Sequence, residues 1–258
     1  MTLPAPISAC RQSSFAPDGG DPRFDRFVVV YIDVLGQKVA LKTWDDLEPS
    51  SNELNGLVQA ILDTFGRVDQ LRCDFPSKLY QADRAMNDRE RGAKFYPDGE
   101  ASWPRYSNQF PSFMQFSDTI VAFSPLKDQF GYRDFPGVYR YLFAAGELLL
   151  SALSRRIAIR GAIEVGVAGQ FEKTDLYGPV LVCAHDLESK VAEFPRIVVG
   201  PKLVEFLQES NSCCDSCYDG TAEMIRRMVD RCKGMLDQDT GGRWFVDYLG
   251  NGFASVQE

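Results

Sequence analysis

The sequence predicts an α+β fold: a ferredoxin-like sheet in βαββαβ order, with an additional helix and strand at its C-terminal end. Three observations lead there. Phe27-Val-Val-Val-Tyr-Ile32 is an unbroken β-branched apolar run, the pattern of a strand buried on both faces. Phe113–Phe123 reads as two short apolar strands meeting at Ser117-Asp118. Helical patterns over Glu53–Leu71 and Phe135–Arg156 separate these strands from each other and from the C-terminal strands, so two βαβ halves flank a hairpin.

Taken in order, Met1–Asp25 is rich in Pro, Ser and Gly and reads as a loose N-terminal arm, with residues 26–258 forming one domain. Asp33 comes directly after the first strand, then Gly36. The first helix carries Leu54, Leu57, Val58, Ile61, Leu62 and Phe65 at helical spacing. Ser77–Ser107 is polar, charged and rich in Arg, Asp, Gly and Pro, and is expected to be a long loop or insertion. After the hairpin, Phe135–Arg156 ends in two arginines, which suit the C-terminal end of a helix dipole. Ile157–Phe171, with Gly161, Gly166 and Gly169, is expected as a strand pair or one long bent strand. Pro179–Glu193 is helical with Pro in its first turn. Arg196–Val199 is a strand and Pro201–Glu209 a short helix, followed by a helix over Glu223–Leu236 and a strand over Trp244–Leu249.

Composition narrows the function. The chain has 258 residues, 45% hydrophobic and 25% charged, which suits a globular protein with a sizeable core. Its net charge of −8 argues against binding duplex nucleic acid or docking on an anionic membrane. A small polyanionic substrate is still permitted, because a metal ion supplies positive charge locally. No apolar run approaches the ~20 residues of a membrane span, and the start lacks a signal-peptide pattern. The expected location is the cytoplasm. The 7 cysteines are scattered, so a disulfide framework is not expected. Cys213, Cys214 and Cys217 look like half of a zinc site, but no second CxxC follows and the single His, His185, is distant in sequence.

The chemistry-bearing feature is a pair of acids at strand ends. Asp33 closes a buried strand, where a carboxylate needs a charged partner, and Asp118 sits in a hairpin between apolar strands. In a βαββ layout the two converge, and two converging carboxylates are relieved by a divalent cation. Mg2+ or Mn2+ held by one or two carboxylates and completed by phosphate oxygens is a common phosphoryl-transfer arrangement. Taken singly, Asp33 reads better as a turn cap and Asp118 as a hairpin residue; it is the pair in this layout that favours a metal.

Tyr31-Ile32-Asp33-Val34-Leu35-Gly36 and Phe116-Ser117-Asp118-Thr119 resemble the two metal motifs of class III nucleotidyl cyclases. Thr174-Asp175-Leu176-Tyr177-Gly178 is similar to the stretch before their catalytic helix. A closer similarity is to the Pycsar cyclases, bacterial anti-phage enzymes that make cyclic UMP or cyclic CMP. It rests on the first-strand motif, Ser117-Asp118, Arg160-Gly161-Ala162-Ile163, Tyr177-Gly178-Pro179, Leu187-Glu188, Ala192–Val199 and Phe245-Val246-Asp247-Tyr248-Leu249.

The resemblance implies a class III cyclase domain in which Asp33, Asp118 and the Val34 carbonyl hold two Mn2+ or Mg2+ ions. It implies that the turn Val34, Leu35, Gly36 and Gln37 offers N–H groups to the triphosphate, that UTP or CTP is the substrate, and that a head-to-tail homodimer forms. It further implies that the cyclic product is a second messenger for a separate effector. The sequence also departs from the adenylate and guanylate cyclase pattern. The base-reading Lys or Glu is replaced by Met114, although Asp175 matches the base-contacting Asp. The Asn and Arg of the catalytic helix fall on Val182 and Asp186. Arg160 is the candidate to replace the missing Arg, with a structural pairing to a buried acid as its alternative. His185 and Arg196 read as structural, and Lys38 and Lys42 as phosphate-contacting or solvated. Two rivals remain: a catalytically inactive cyclase-like sensor, and a two-metal phosphohydrolase or palm-type polymerase.

Overall fold

The computed structural model describes residues 22–36, 50–91, 111–127, 133–171, 174–209 and 219–254. The sequence expectations for Gln37, Lys38, Lys42, residues 92–107, Cys213, Cys214 and Cys217 lie outside these residues, as does the arm up to residue 21.

The strands are β1 (Arg23–Val34), β2 (Ser112–Phe116), β3 (Thr119–Pro125), β4 (Ile159–Gln170), β5 (Leu176–Tyr177), β6 (Ile197–Val199), β7 (Leu236–Gln238) and β8 (Trp244–Val246). The helices are α1 (Ser51–Arg91), α2 (Phe135–Ser154), α3 (Pro179–Lys190), α4 (Pro201–Gln208), α5 (Asp219–Gly234) and α6 (Asn251–Ala254). The strands form one sheet in the order β2-β3-β1-β4-β6-β8-β7, with β5 paired to β4. Its first four strands, with α1 after β1 and α2 after β3, have the order and directions of a ferredoxin-like unit. β6 runs parallel to β4 and begins a C-terminal extension that ends in the β7–β8 hairpin. The sequence signals a helix and a strand there, but the three-residue β7 carries no pattern of its own.

β1 is apolar at consecutive positions because both its faces are covered. Val28, Val30, Ile32 and Val34 enter a large core against α1, α2, α4 and α5. Phe27 and Val29 enter a second core beneath α3, with Val121, Phe123, Ala168, Val180 and Ala184. Helices therefore lie on both faces of the sheet, where the ferredoxin-like expectation places them on one.

Three boundaries also differ from the sequence reading. β1 begins at Arg23, within the expected N-terminal arm. Of the two forms expected for Ile157–Phe171, the chain takes the single long strand, bounded at Ile159–Gln170 and 12 residues long. The largest correction is α1, a 41-residue helix that continues through Pro76 into the stretch expected as a loop. Val68, Leu71, Phe75, Leu79 and Ala82 form a buried stripe at spacings of three and four, so this segment docks on the core despite its polar composition. The apolar positions that mark the helix in the sequence lie on its other half and are mostly exposed.

Phe75 is fully buried and meets Phe113 edge to face. Phe75→Ala is expected to lower unfolding stability by about 3–5 kcal/mol in urea titrations. A loss below about 1 kcal/mol would mean that the second half of α1 does not dock.

Candidate functional site

Asp33 sits where β1 passes out of the core, paired on one side with Thr119 of β3 and on the other with Arg160 of β4. Side chains alternate along a strand, so Asp33 shares the α3-facing side of the sheet with Tyr31 and Phe27. Thr119 Oγ1 donates to Asp33 Oδ1 at 3.1 Å and also bonds the Tyr31 hydroxyl. Burial raises the Tyr31 phenol above its ordinary range, and the Thr119 hydrogen bond opposes that rise. The His185 ring from α3 meets Tyr31 edge to face, 5.5 Å between centroids.

Asp118 reaches the same corner from the hairpin. Its carbonyl accepts the Val34 N–H at 3.3 Å, which ties the turn to the end of β1. Ser117 holds φ at +44°, a left-handed conformation in which a side chain is uncommon, and Arg72 of α1 donates to its carbonyl at 2.8 Å. The Asp118 carboxylate itself makes no hydrogen bond or ion pair with a described residue. Asp33 and Asp118 thus lie at the ends of neighbouring strands, with both charges acting on the Tyr31 phenol, and among the described residues Asp118 has no cationic partner.

Arg160 lies between two acids. Its Nε donates to the Glu188 carboxylate, and Nη2 is 4.0 Å from Asp33 Oδ2. Glu188 is a buried acid on α3, so the alternative considered for Arg160, pairing with a buried carboxylate, is what the structure contains. Burial pushes the Glu188 carboxyl up; Arg160 opposes the shift and the charge of Asp33 adds to it. Tyr31, Thr119, Glu188 and Arg72 have no assigned role in the sequence reading. One signal could have found Glu188: it lies one helical turn beyond Ala184, on the buried side of α3.

The turn after β1 behaves differently from expectation. The N–H groups of Val34 and Leu35 are used within the chain, by the Asp118 carbonyl and by the Ala158 carbonyl, the latter at 2.8 Å. The ladder runs to the end of the strand and consumes both donors. Gly36 adopts φ +90° with open space where a Cβ would point, so its glycine serves backbone conformation and leaves the approach clear. Met114 packs beside the second core, and its sulfur accepts the Leu176 N–H at 3.3 Å. That bond brings the exposed Asp175 next to Met114, so the two expected base-contacting positions are neighbours. Val182 is exposed on α3, and Asp186 pairs with Lys190 at 3.0 Å. Arg196 is structural: it is buried, bonded to Asp239 at 2.8 Å and to the Val191 carbonyl at 2.6 Å.

The donor set suits a hard divalent cation, since it offers carboxylate oxygens with an unbalanced negative charge. Among the described residues, no three His, Cys, Asp or Glu side chains are grouped to hold a metal. A cation at Asp33 and Asp118 would take its other ligands from main chain, water or substrate.

No family model and no curated protein matches the chain. Among solved structures, it is similar to the monomeric guanylyl cyclase domain of the RhoGC fusion protein from the aquatic fungus Blastocladiella emersonii. The TM-score is 0.48 at 10% identity, covering 90% of this chain and 99% of that one. It is also similar to the catalytic core of a rhodopsin-guanylyl cyclase with converted specificity, in complex with ATPalphaS. There the TM-score is 0.46 at 12% identity, over 88% and 98% of the two chains. No helix among the described residues is long and apolar enough to cross a membrane.

A raised carboxyl pKa means that the folded chain binds more protons than the unfolded chain between the ordinary and the raised value. Stability therefore falls as pH rises through that window. Glu188→Gln keeps the side-chain shape and removes the titration. Urea melts from about pH 4 to about pH 7 should show the stability difference moving in the variant's favour as pH rises. A difference that does not vary with pH would place Glu188 at its unfolded-state pKa.

Proposed function

We propose that this protein is a nucleotidyl cyclase that converts a pyrimidine nucleoside triphosphate, UTP first and CTP as the alternative, to its 3′,5′-cyclic monophosphate and pyrophosphate. The observation that carries the reading is that Asp33 and Asp118 lie at the ends of neighbouring strands, with both charges acting on Tyr31, and that no described cation balances the Asp118 carboxylate. A triphosphate brings further negative charge, so this corner is suited to chemistry in which divalent cations bridge protein and phosphates.

In the reaction, the ribose 3′-oxygen forms a bond to the α-phosphorus while the bond from that phosphorus to the β-phosphate oxygen breaks. The hydroxyl proton passes to solvent and pyrophosphate leaves. Asp33, Asp118 and the Val34 carbonyl would hold Mn2+ or Mg2+, which when bound lowers the pKa of the hydroxyl and neutralises charge on the phosphates. Thr119 and Arg160 fix the Asp33 carboxylate from two sides, and Glu188 fixes Arg160. With its Nε committed to Glu188, Arg160 is better suited to orienting Asp33 and lending it charge than to reaching out to a phosphate. Gly36 leaves room for close approach of the triphosphate.

Met114 and Asp175 supply the proposed base contact. A thioether cannot stand in for the Lys or Glu that reads a purine, which supports a pyrimidine. Completion of the site by a second copy in a head-to-tail homodimer rests on the class III cyclase resemblance. The anti-phage role, the cytoplasmic location and a separate effector for the cyclic product rest on the Pycsar resemblance alone. A catalytically silent nucleotide sensor is the second reading, favoured by the absence of a cation at Val182 and Asp186 on α3.

Incubation of the full chain with each of the four nucleoside triphosphates and Mn2+, with the products resolved by mass spectrometry, tests the reading. Cyclic UMP or cyclic CMP is expected. Cyclic AMP or GMP would overturn the specificity, and bound but unchanged nucleotide would favour the sensor. Asp33→Asn and Asp118→Asn should each lower turnover by roughly 1,000-fold or more with an unchanged circular dichroism spectrum. Comparable activity in either variant would remove it from the metal site.

Asp175→Ala should raise KM for the accepted nucleotide by roughly tenfold, with kcat within about twofold, because it removes a contact to a part of the substrate that does not react. An unchanged KM would take Asp175 out of base recognition.

A further inference from the structure

Helix α1 has two halves with opposite surroundings. A series at seven-residue spacing, Leu54, Ile61, Val68, Phe75 and Ala82, runs along its whole length. From Val68 onward the series is buried in the core. Before that point the helix projects past its packing partners, and Leu54, Val58, Ile61, Leu62 and Phe65 are 46–57% exposed. The projecting half is nevertheless a properly started helix. Ser50 Oγ accepts the Glu53 N–H at 3.4 Å, and the Glu53 carboxylate accepts the Ser50 N–H at 2.8 Å, a reciprocal capping box.

We propose that this exposed stripe is the contact through which a second copy of the chain binds, by antiparallel pairing of the two α1 helices about a two-fold axis. The arrangement of the stripe selects this occupant. Its five residues and the half-buried Leu57 fall in pairs equidistant from the point between Gln59 and Ala60: Val58 with Ile61, Leu57 with Leu62, and Leu54 with Phe65. A two-fold axis through that point therefore sets apolar residue against apolar residue along the whole stripe, as an isologous contact requires. The same register brings Glu53 of one copy to the level of Gly66 of the other, beside Arg67, at both ends. It also sets Asp63 opposite the uncharged Gly56. Half-exposed side chains of this size leave roughly 500 Å2 of apolar surface per copy, so pairing buries on the order of 1,000 Å2, the lower bound for a specific interface.

This contact is separate from the head-to-tail contact proposed to complete the active site, and its test reads mass and not activity. Sedimentation equilibrium of the full chain is compared with Val58→Lys and Ile61→Glu. Each substitution lies on the exposed stripe, so the fold should survive, and circular dichroism checks that. Each variant alone should show half the wild-type mass, whether the wild type is a dimer or, with both contacts formed, a tetramer. An equimolar mixture of the two variants should recover the wild-type mass, because the introduced ammonium of one chain then faces the introduced carboxylate of the other across the axis.

A wild-type chain that is monomeric throughout the concentration series would overturn the proposal and give the stripe another occupant. So would variants that keep the full mass, or a mixture that stays at half mass. Loss of cyclase activity in the wild type would bear on the function reading and leave this one untouched.

Discussion

β1 must be covered on both faces and hydrogen-bonded along both edges, and much of the architecture answers that requirement. Its residues from Phe27 to Ile32 offer no polar side chain to either face except the hydroxyl of Tyr31. Leaving either face in water would forfeit roughly 1.5–3 kcal/mol for each large side chain. Helices α1 and α2 close one face and α3 the other, while β3 and β4 complete the ladder. The strand stays apolar until Asp33, where the β3 ladder ends at Thr119 while the β4 ladder continues to Val34. A carboxylate is thereby carried to the rim of the core by an element that cannot shift register without exposing its apolar side chains.

That rigidity explains why the site is assembled from parts far apart in sequence. Thr119 is fixed opposite Asp33 by the same register that pairs Phe27 with Pro125, and Arg160 by the register that continues to Arg23 and Gln170. Glu188 enters from α3, whose position is set by Val180 and Ala184 in the second core. Gly161 illustrates how tight the arrangement is: a Cβ there would stand 2.6 Å from the Tyr31 carbonyl oxygen. The residue beside Arg160 is small because two strands approach closely at the site. The positions of the charged groups are therefore consequences of apolar packing several residues away.

How much of this is legible in the sequence depends on which forces leave a local pattern. β1, the Ser117-Asp118 hairpin and α2 are readable because each is dominated by burial at a fixed period, and their arrangement brings Asp33 and Asp118 to one corner. The second half of α1 is not readable. It docks through Phe75, Leu79 and Ala82, which alternate with Arg72, Asp74, Pro76 and Lys78, so polar residues and a proline obscure the apolar spacing. The first half looks the more secure because its apolar stripe is dense, yet density reports only that a face will be covered and not by what. Partnerships across the sheet, such as Arg160 with Glu188, depend on how α3 lies over β4, and no single segment encodes that. The N–H groups of Val34 and Leu35 escape a sequence reading for a similar reason: their partners, Asp118 and Ala158, come from other strand ends.

Charge decides what such a corner can do. Asp33, Asp118 and Glu188 bring three potential negative charges, against the one guanidinium of Arg160 among them. Arg72, close to the hairpin, spends a donor on the Ser117 carbonyl. Desolvation raises the Glu188 carboxyl, and the Arg160 charge, which also faces Asp33, opposes that rise. Asp118 receives no comparable relief from a described residue. A chain of net charge −8 supplies no compensating field from its wider surface either. A phosphate approaching this corner without cations would meet repulsion, while one that arrives with them would balance the charge that the fold leaves on Asp118. The cost of holding an unpaired carboxylate at the rim of a core is modest while water still reaches it. That exposure also keeps the carboxylate accessible to an incoming cation.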